Sequence, residues 1–117
     1  MVKALAKLFK ALGPEKAANE VEKLASLTFT GGGGSYPVTT RVKVIEFPGD
    51  PPMMMMVCEL GQFLIDRMPL ATRPYILQEL EYHGVVWRIM TISAMTREGS
   101  GGDILGQRLS CEPLRPA

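Results

Sequence analysis

The sequence predicts a mainly β domain of the α+β kind: a small antiparallel barrel or sandwich with one or two helices packed against it. Three observations carry this expectation. Helical apolar spacing is confined to the first 25 residues. From Ser26 onward, short β-prone runs alternate with Gly and Pro breakers. Two of those runs are joined by His83-Gly84 alone, a connection of the length and glycine placement that a tight hairpin needs. The corresponding division is a helical segment over 1–25, a β-barrel domain over 26–113 and a flexible tail over 114–117.

Val2, Leu5, Leu8, Phe9 and Leu12 recur at helical spacing, with Lys3, Lys7 and Lys10 turned away. Gly13-Pro14 interrupts the pattern, and Pro14 suits the first turn of a second helix, where its missing N–H is not needed. Ala17, Ala18, Val21, Leu24 and Ala25 form the narrow apolar stripe of that helix. The lysines of the first helix fit a membrane-surface helix or, more simply, a solvated face whose opposite stripe packs on the domain. The simpler reading is favoured.

The first strand is expected at Leu27–Thr30 and ends at a glycine run. The second spans Thr39–Phe47 and stops at Pro48-Gly49-Asp50-Pro51-Pro52, a stiff turn-forming cluster. A third extended stretch follows over Met53–Asp66, with a bend at Gly61, and then a loop over 67–74. Ile76–Tyr82 and Val85–Ile92 form the hairpin, 96–103 a polar glycine-rich loop, and Ile104–Cys111 the last strand, with Leu105, Leu109 and Cys111 on one face. Pro113–Ala117 reads as a frayed end.

Composition excludes several classes. The chain has 117 residues, with 13 Lys+Arg against 12 Asp+Glu and a net charge of +1, so it has no basic field to hold nucleic acid by counterion release. One histidine and two cysteines cannot build a Cys/His zinc site. The longest apolar run, Met53–Cys58, is far shorter than the ~20 residues of a spanning helix. The lysines interleaved with apolar residues near the N-terminus do not match a signal peptide, so the expected location is the cytoplasm, with Cys58 and Cys111 reduced.

Few residues invite chemistry. The run Gly31, Gly32, Gly33, Gly34, Ser35, Tyr36 lacks the Lys-Ser/Thr pair and following helix of a phosphate loop, so it reads as a mobile loop. Met53, Met54, Met55 and Met56 suggest a soft copper handle, but adjacent strand residues point to opposite faces and four in a row cannot meet one ion. Patterning leaves open whether they form a buried strand or an adaptable partner-facing segment. Together with the stiffening Pro48, Pro51 and Pro52 they are the candidate docking residues. Glu79 and Glu81 share a strand face, as solvent-facing glutamates ordinarily do. No residue set calls for a cofactor, and an enzyme is not expected. Trp87, in the hairpin, is the expected core anchor.

One family has this order of elements. A helical N-terminus runs into Leu27-Thr28-Phe29-Thr30-Gly31. Later come Leu80-Glu81-Tyr82-His83-Gly84-Val85-Val86-Trp87-Arg88-Ile89, a glycine-rich loop and a last strand at Leu105–Glu112. In this the chain resembles the small head–tail joining (connector, stopper) proteins of long-tailed bacteriophages. His83-Gly84-Val85-Val86-Trp87-Arg88-Ile89 matches their "polar–Gly–x–x–aromatic–x–apolar" hairpin. The likeness spans about residues 14–113 and is one of pattern. It implies a barrel protomer that assembles into a ring, expected to be hexameric, in the virion neck. That ring would lie between a portal or adaptor protein and a tail-terminator or tail-tube protein, with genomic DNA passing through its bore. No catalytic residues are implied, and the protomer would reside in the host cytoplasm before assembly. A ring protomer needs two unlike edges, for which loops 31–38, 48–56 and 96–103 are the candidates. The alternatives are a tail-completion or tail-terminator protein of the same neck, or a small β-barrel module for a peptide or a nucleic-acid strand. The last would need a basic groove with aromatics, and Tyr36, Tyr75, Tyr82 and Trp87 are scattered.

Overall fold

Strands alternate in burial along their length, and that alternation closes the molecule. In the computed structural model, which describes residues 23–97 and 103–117, six strands form a closed antiparallel barrel. They are β1 (Lys23–Gly31), β2 (Gly34–Phe47), β3 (Met53–Gly61), β4 (Glu79–Tyr82), β5 (Val85–Thr96) and β6 (Ile104–Pro116). Around the barrel their order is β1-β2-β3-β6-β5-β4, so two three-stranded meanders are sealed by β3 against β6 and by β1 against β4. Between the meanders lie one short helix, α1 (Gln62–Arg67), and a 3-10 turn at Leu70–Thr72.

Every second residue points inward, as the two-residue strand period requires. Leu27 and Phe29 of β1, Val38, Val42 and Val44 of β2, Met56, Cys58 and Leu60 of β3, Leu80 of β4, Trp87 and Ile89 of β5, and Leu109 and Cys111 of β6 fill the interior. Ile65 of α1 and Met68 after it plug one region of that core. Two buried polar side chains bond to the backbone: Thr40 donates its hydroxyl to the Glu59 carbonyl, and the fully buried Gln78 donates to the Thr30 and Thr72 carbonyls at 3.0 and 2.8 Å. Gln78 thereby ties β1, the 3-10 turn and the entry to β4 together. Arg73 donates to the carbonyls of Asp66 and Met68, both at 3.0 Å, at the C-terminal end of α1.

The expected small β-barrel with a helix is the fold observed, with several boundaries moved. Both expected N-terminal helices lie outside the described residues up to residue 22. Lys23–Ala25, assigned to the second of them, instead open β1 opposite Val42–Thr40. Pairing with β2 puts Ala25 in step with Leu27 and Phe29 and leaves Leu24 exposed.

Gly31–Tyr36 is not a loop. Gly31 pairs with Gly34 and Thr30 with Ser35, so only Gly32 and Gly33 form the turn. Their φ values of +59° and +78° are those a two-residue hairpin turn demands and glycine supplies. In place of a bend at Gly61, the chain enters α1, whose Ile65 is drawn into the core. Ile76 and Leu77 form a turn rather than strand, with Leu77 at φ +71°. The terminal residues are not frayed: β6 runs to Pro116 beside Val85, and Ala117 N–H donates to Gly84 O at 3.0 Å. Leu105 departs from the face of Leu109 and Cys111 and is exposed, because an irregularity between Met95 and Thr96 shifts the β5–β6 register at Gly106.

Candidate docking surface

Loop 48–52, exposed throughout, joins β2 to β3 and carries Pro48, Pro51 and Pro52. Met53–Met56 are not part of that loop but the first residues of β3, registered against Phe47, Glu46, Ile45 and Val44 in turn. Alternation then divides them. Met56 is fully buried and belongs to the interior, whereas Met54 is half-buried, packing against the core on one side and lining an adjoining groove on the other. Met53 is 69% exposed, and Met55 shares its outward face. Any docking role therefore rests on Met53 and Met55 with the neighbouring Phe47, itself exposed.

A splay between strands enlarges this patch. β3 pairs with β6 only from Met56↔Cys111 onward, so Met53–Met55 have no partner on that edge among the described residues. β6 leaves β3 there to follow β5, through Arg88↔Glu112, Trp87↔Pro113 and Val86↔Arg115. The opening is a groove of about 160 Å³ lined by Phe47, Met53–Met55, Met90, Ser110, Cys111 and Glu112. Met90 enters because it is the extra residue of a β-bulge between Ile89 and Thr91.

The outer face of the barrel carries cross-strand ion pairs, of which Glu112 also lines the groove. Arg88 meets Glu112 at 2.6 Å, Arg108 meets Glu59 at 2.6 Å, and Arg115 meets Glu79. Exposed pairs of this kind contribute about 0–1 kcal/mol each, so they set register and surface charge more than stability. A second hollow, about 220 Å³, lies on the same outer face between Lys43, Ile45, Val57, Glu59 and Arg108.

Among the described residues, two strand edges also lack a full partner. β1 meets β4 only at Thr28↔Glu81 and Phe29↔Leu80, leaving the outer edge of Lys23–Leu27 without a strand partner among the described residues. β5 meets β4 only from Tyr82↔Val85 to Glu79↔Arg88, leaving Thr91–Thr96 without a strand partner on that side among the described residues. The openings lie beyond opposite ends of β4. Arg97 N–H donates to Asp103 O at 3.1 Å and closes the base of the β5–β6 connection.

The other expected residues sit elsewhere. Gly31 is pressed against the backbone at Ala71, where a Cβ would overlap the carbonyl, so this end of the β1–β2 hairpin is packed and not free. Trp87 is fully buried and donates its indole N–H to Tyr82 O at 3.3 Å. Cys58 and Cys111 are both free thiols in the core. A hydrogen bond with Cys111, followed by burial, raises the Cys58 thiol well above its ordinary range. Met90, Ser110 and Glu112 were not foreseeable as groove residues. Their place depends on a bulge and on the parting of β3 from β6, neither of which leaves a compositional mark.

The chain matches no protein-family model, and no curated protein is significantly similar to it.

Proposed function

We propose that this chain is a structural protein of a tailed phage, a head–tail connector subunit that forms a ring in the neck between the portal assembly and the tail. The sequence resemblance suggests the class, and the open strand edges are the observation that carries it onto the fold. β1 and β5 are both antiparallel to β4, so their free edges, Lys23–Leu27 and Thr91–Thr96, run in the same direction at opposite ends of that strand. Two unlike edges on one protomer suit head-to-tail contacts that close into a ring. Thr91–Thr96 contains no Lys, Pro or acidic residue to blunt it, unlike the edges that solitary proteins protect. The apolar patch at Phe47, Met53 and Met55 supplies adaptable surface for the ring above or below.

The test is genetic and structural together. Removing the gene from its phage should leave DNA-filled heads and finished tails that fail to join. Ala94→Lys, which puts a charge on the open β5 edge, should leave a folded protomer that cannot restore joining. Normal particles without the chain would overturn the proposal, and normal joining by Ala94→Lys would remove the edge from it.

A further inference from the structure

The chain enters the barrel at the end where the apolar groove opens. Lys23 is registered against Val42, whereas β2 continues five residues further, to Phe47, which stands opposite Met53. Because β1 and β2 are antiparallel, the line of β1 traced backward from Lys23 runs toward Phe47 and Met53. Phe47 lies about 17 Å from Val42 along β2, and β3 is two strand spacings, about 10 Å, across from β1. Ten residues, 13–22, separate Leu12 from Lys23. A connection of that length spans about 15 Å as helix and about 33 Å when extended. The groove is therefore within reach of the apolar stripe Val2, Leu5, Leu8, Phe9 and Leu12 of the same chain.

Size, polarity and charge fit that stripe. At about 160 Å³ the groove falls below the roughly 300–1,000 Å³ of small-molecule sites, and so suits protruding side chains. Its walls are apolar apart from Ser110 and Glu112, and Phe47, Met53 and Met90 are exposed on the barrel. Methionine side chains adapt to whatever packs on them. Among the described residues no Lys or Arg lines the groove, while Glu46 stands opposite Met54 and Asp50 sits in the loop between Phe47 and Met53. Lys3, Lys7 and Lys10, interleaved with the stripe, carry the complementary charge. We propose that Val2–Leu12 occupies this groove on its own barrel, with Leu8 and Phe9 seated among Phe47, Met53, Met55 and Met90 and the lysines toward Glu46 and Asp50. A short tether gives an effective concentration of about millimolar, so a weak contact suffices. This contact does not depend on the neck reading. Within that reading, it covers the apolar patch of the solitary protomer until a neighbouring ring takes its place.

The test uses the full chain labelled with carbon-13 at its methionine methyl groups and followed by NMR. Leu8→Asp with Phe9→Asp, both ahead of the first strand, should shift the methyl resonances of Met53, Met55 and Met90. Met68, in the core after α1, should keep its resonance and so report an intact barrel. In a second measurement, a photoreactive p-benzoylphenylalanine replaces Phe9 and the dilute full chain is irradiated. Peptide mapping should place the cross-link on Phe47, Met53, Met55 or Met90 of the same chain. Unchanged methionine resonances in the aspartate variant would overturn the proposal, as would a cross-link that is absent or maps outside the groove. A cross-link found only in dimers, with a yield that rises with concentration, would also overturn it and give the groove to a second copy.

Discussion

The indole of Trp87 sits in β5 between Leu80 of β4 and Pro113 of β6, and is sealed from solvent with its N–H bonded to the Tyr82 carbonyl. Trp87→Ala removes the largest fully buried side chain and leaves a cavity, so denaturant melts should show a loss of about 3–5 kcal/mol. A loss under about 1 kcal/mol would mean that the interior collapses around the gap, contrary to a close-packed barrel. Cys58 makes a different prediction. Its thiol keeps its proton in the folded chain to a higher pH than in the unfolded chain, where it is half-ionised at about 8.5. The stability it contributes is therefore intact at neutral pH and declines as pH rises above that point toward the folded value, because the unfolded state sheds the proton first. Melts from neutral to alkaline pH should show this decline, and Cys58→Ala should flatten it. Gly31 supplies a third case. A Cβ there collides with the Ala71 carbonyl, whereas at Gly33 it meets nothing. Gly31→Ala should cost about 1–3 kcal/mol through overpacking.

Among the elements, β3 carries the core on one face and the proposed docking residues on the other. Met56 is enclosed and Met54 lies against the core, while Met53 and Met55 face outward. Replacing Met54 and Met56 with Ser should unfold or strongly destabilise the protomer, with Met56 alone worth roughly 2–5 kcal/mol. Replacing Met53 and Met55 with Ser should leave the melt nearly unchanged and block incorporation into particles. If the outward pair proves the costlier to fold, the strand's facing is wrong. The β4–β5 hairpin was the most legible part of the chain: His83-Gly84 signals the turn directly, and both residues adopt the positive φ, +55° and +76°, that it requires. The β1–β2 hairpin was hidden by its own composition. Four consecutive glycines look like a tether, yet Gly31 and Gly34 are paired strand residues, and the missing side chain of Gly31 admits the backbone of the 3-10 turn at Ala71. The methionine run was undecidable because alternation gives it two answers, one per face, and only the register against β2 assigns them. Helix α1 and the last residues of β6 were missed because tertiary pairing outweighed the signals of Gly61 and of Pro113 and Pro116.

At the scale of the whole molecule, the barrel is closed but its strands are unequal. Among the described residues, the four of β4 leave β1 unpaired beyond one of its ends and β5 beyond the other. Both openings are short, and most apolar side chains of the strands are spent on the core. The isolated chain should therefore be monomeric or weakly associated at micromolar concentration, forming rings only on the neighbouring ring of the neck. Light scattering checks this, and a stable hexamer in dilute solution would contradict the weak-interface argument while leaving the ring in place. Cryo-electron microscopy of the neck in the phage that encodes the chain decides whether the barrel is a neck subunit. The expected density is a hexameric ring of this barrel between portal assembly and tail, with the β1 edge of each copy against the β5 edge of the next. A neck whose density is fully occupied by other chains would contradict it.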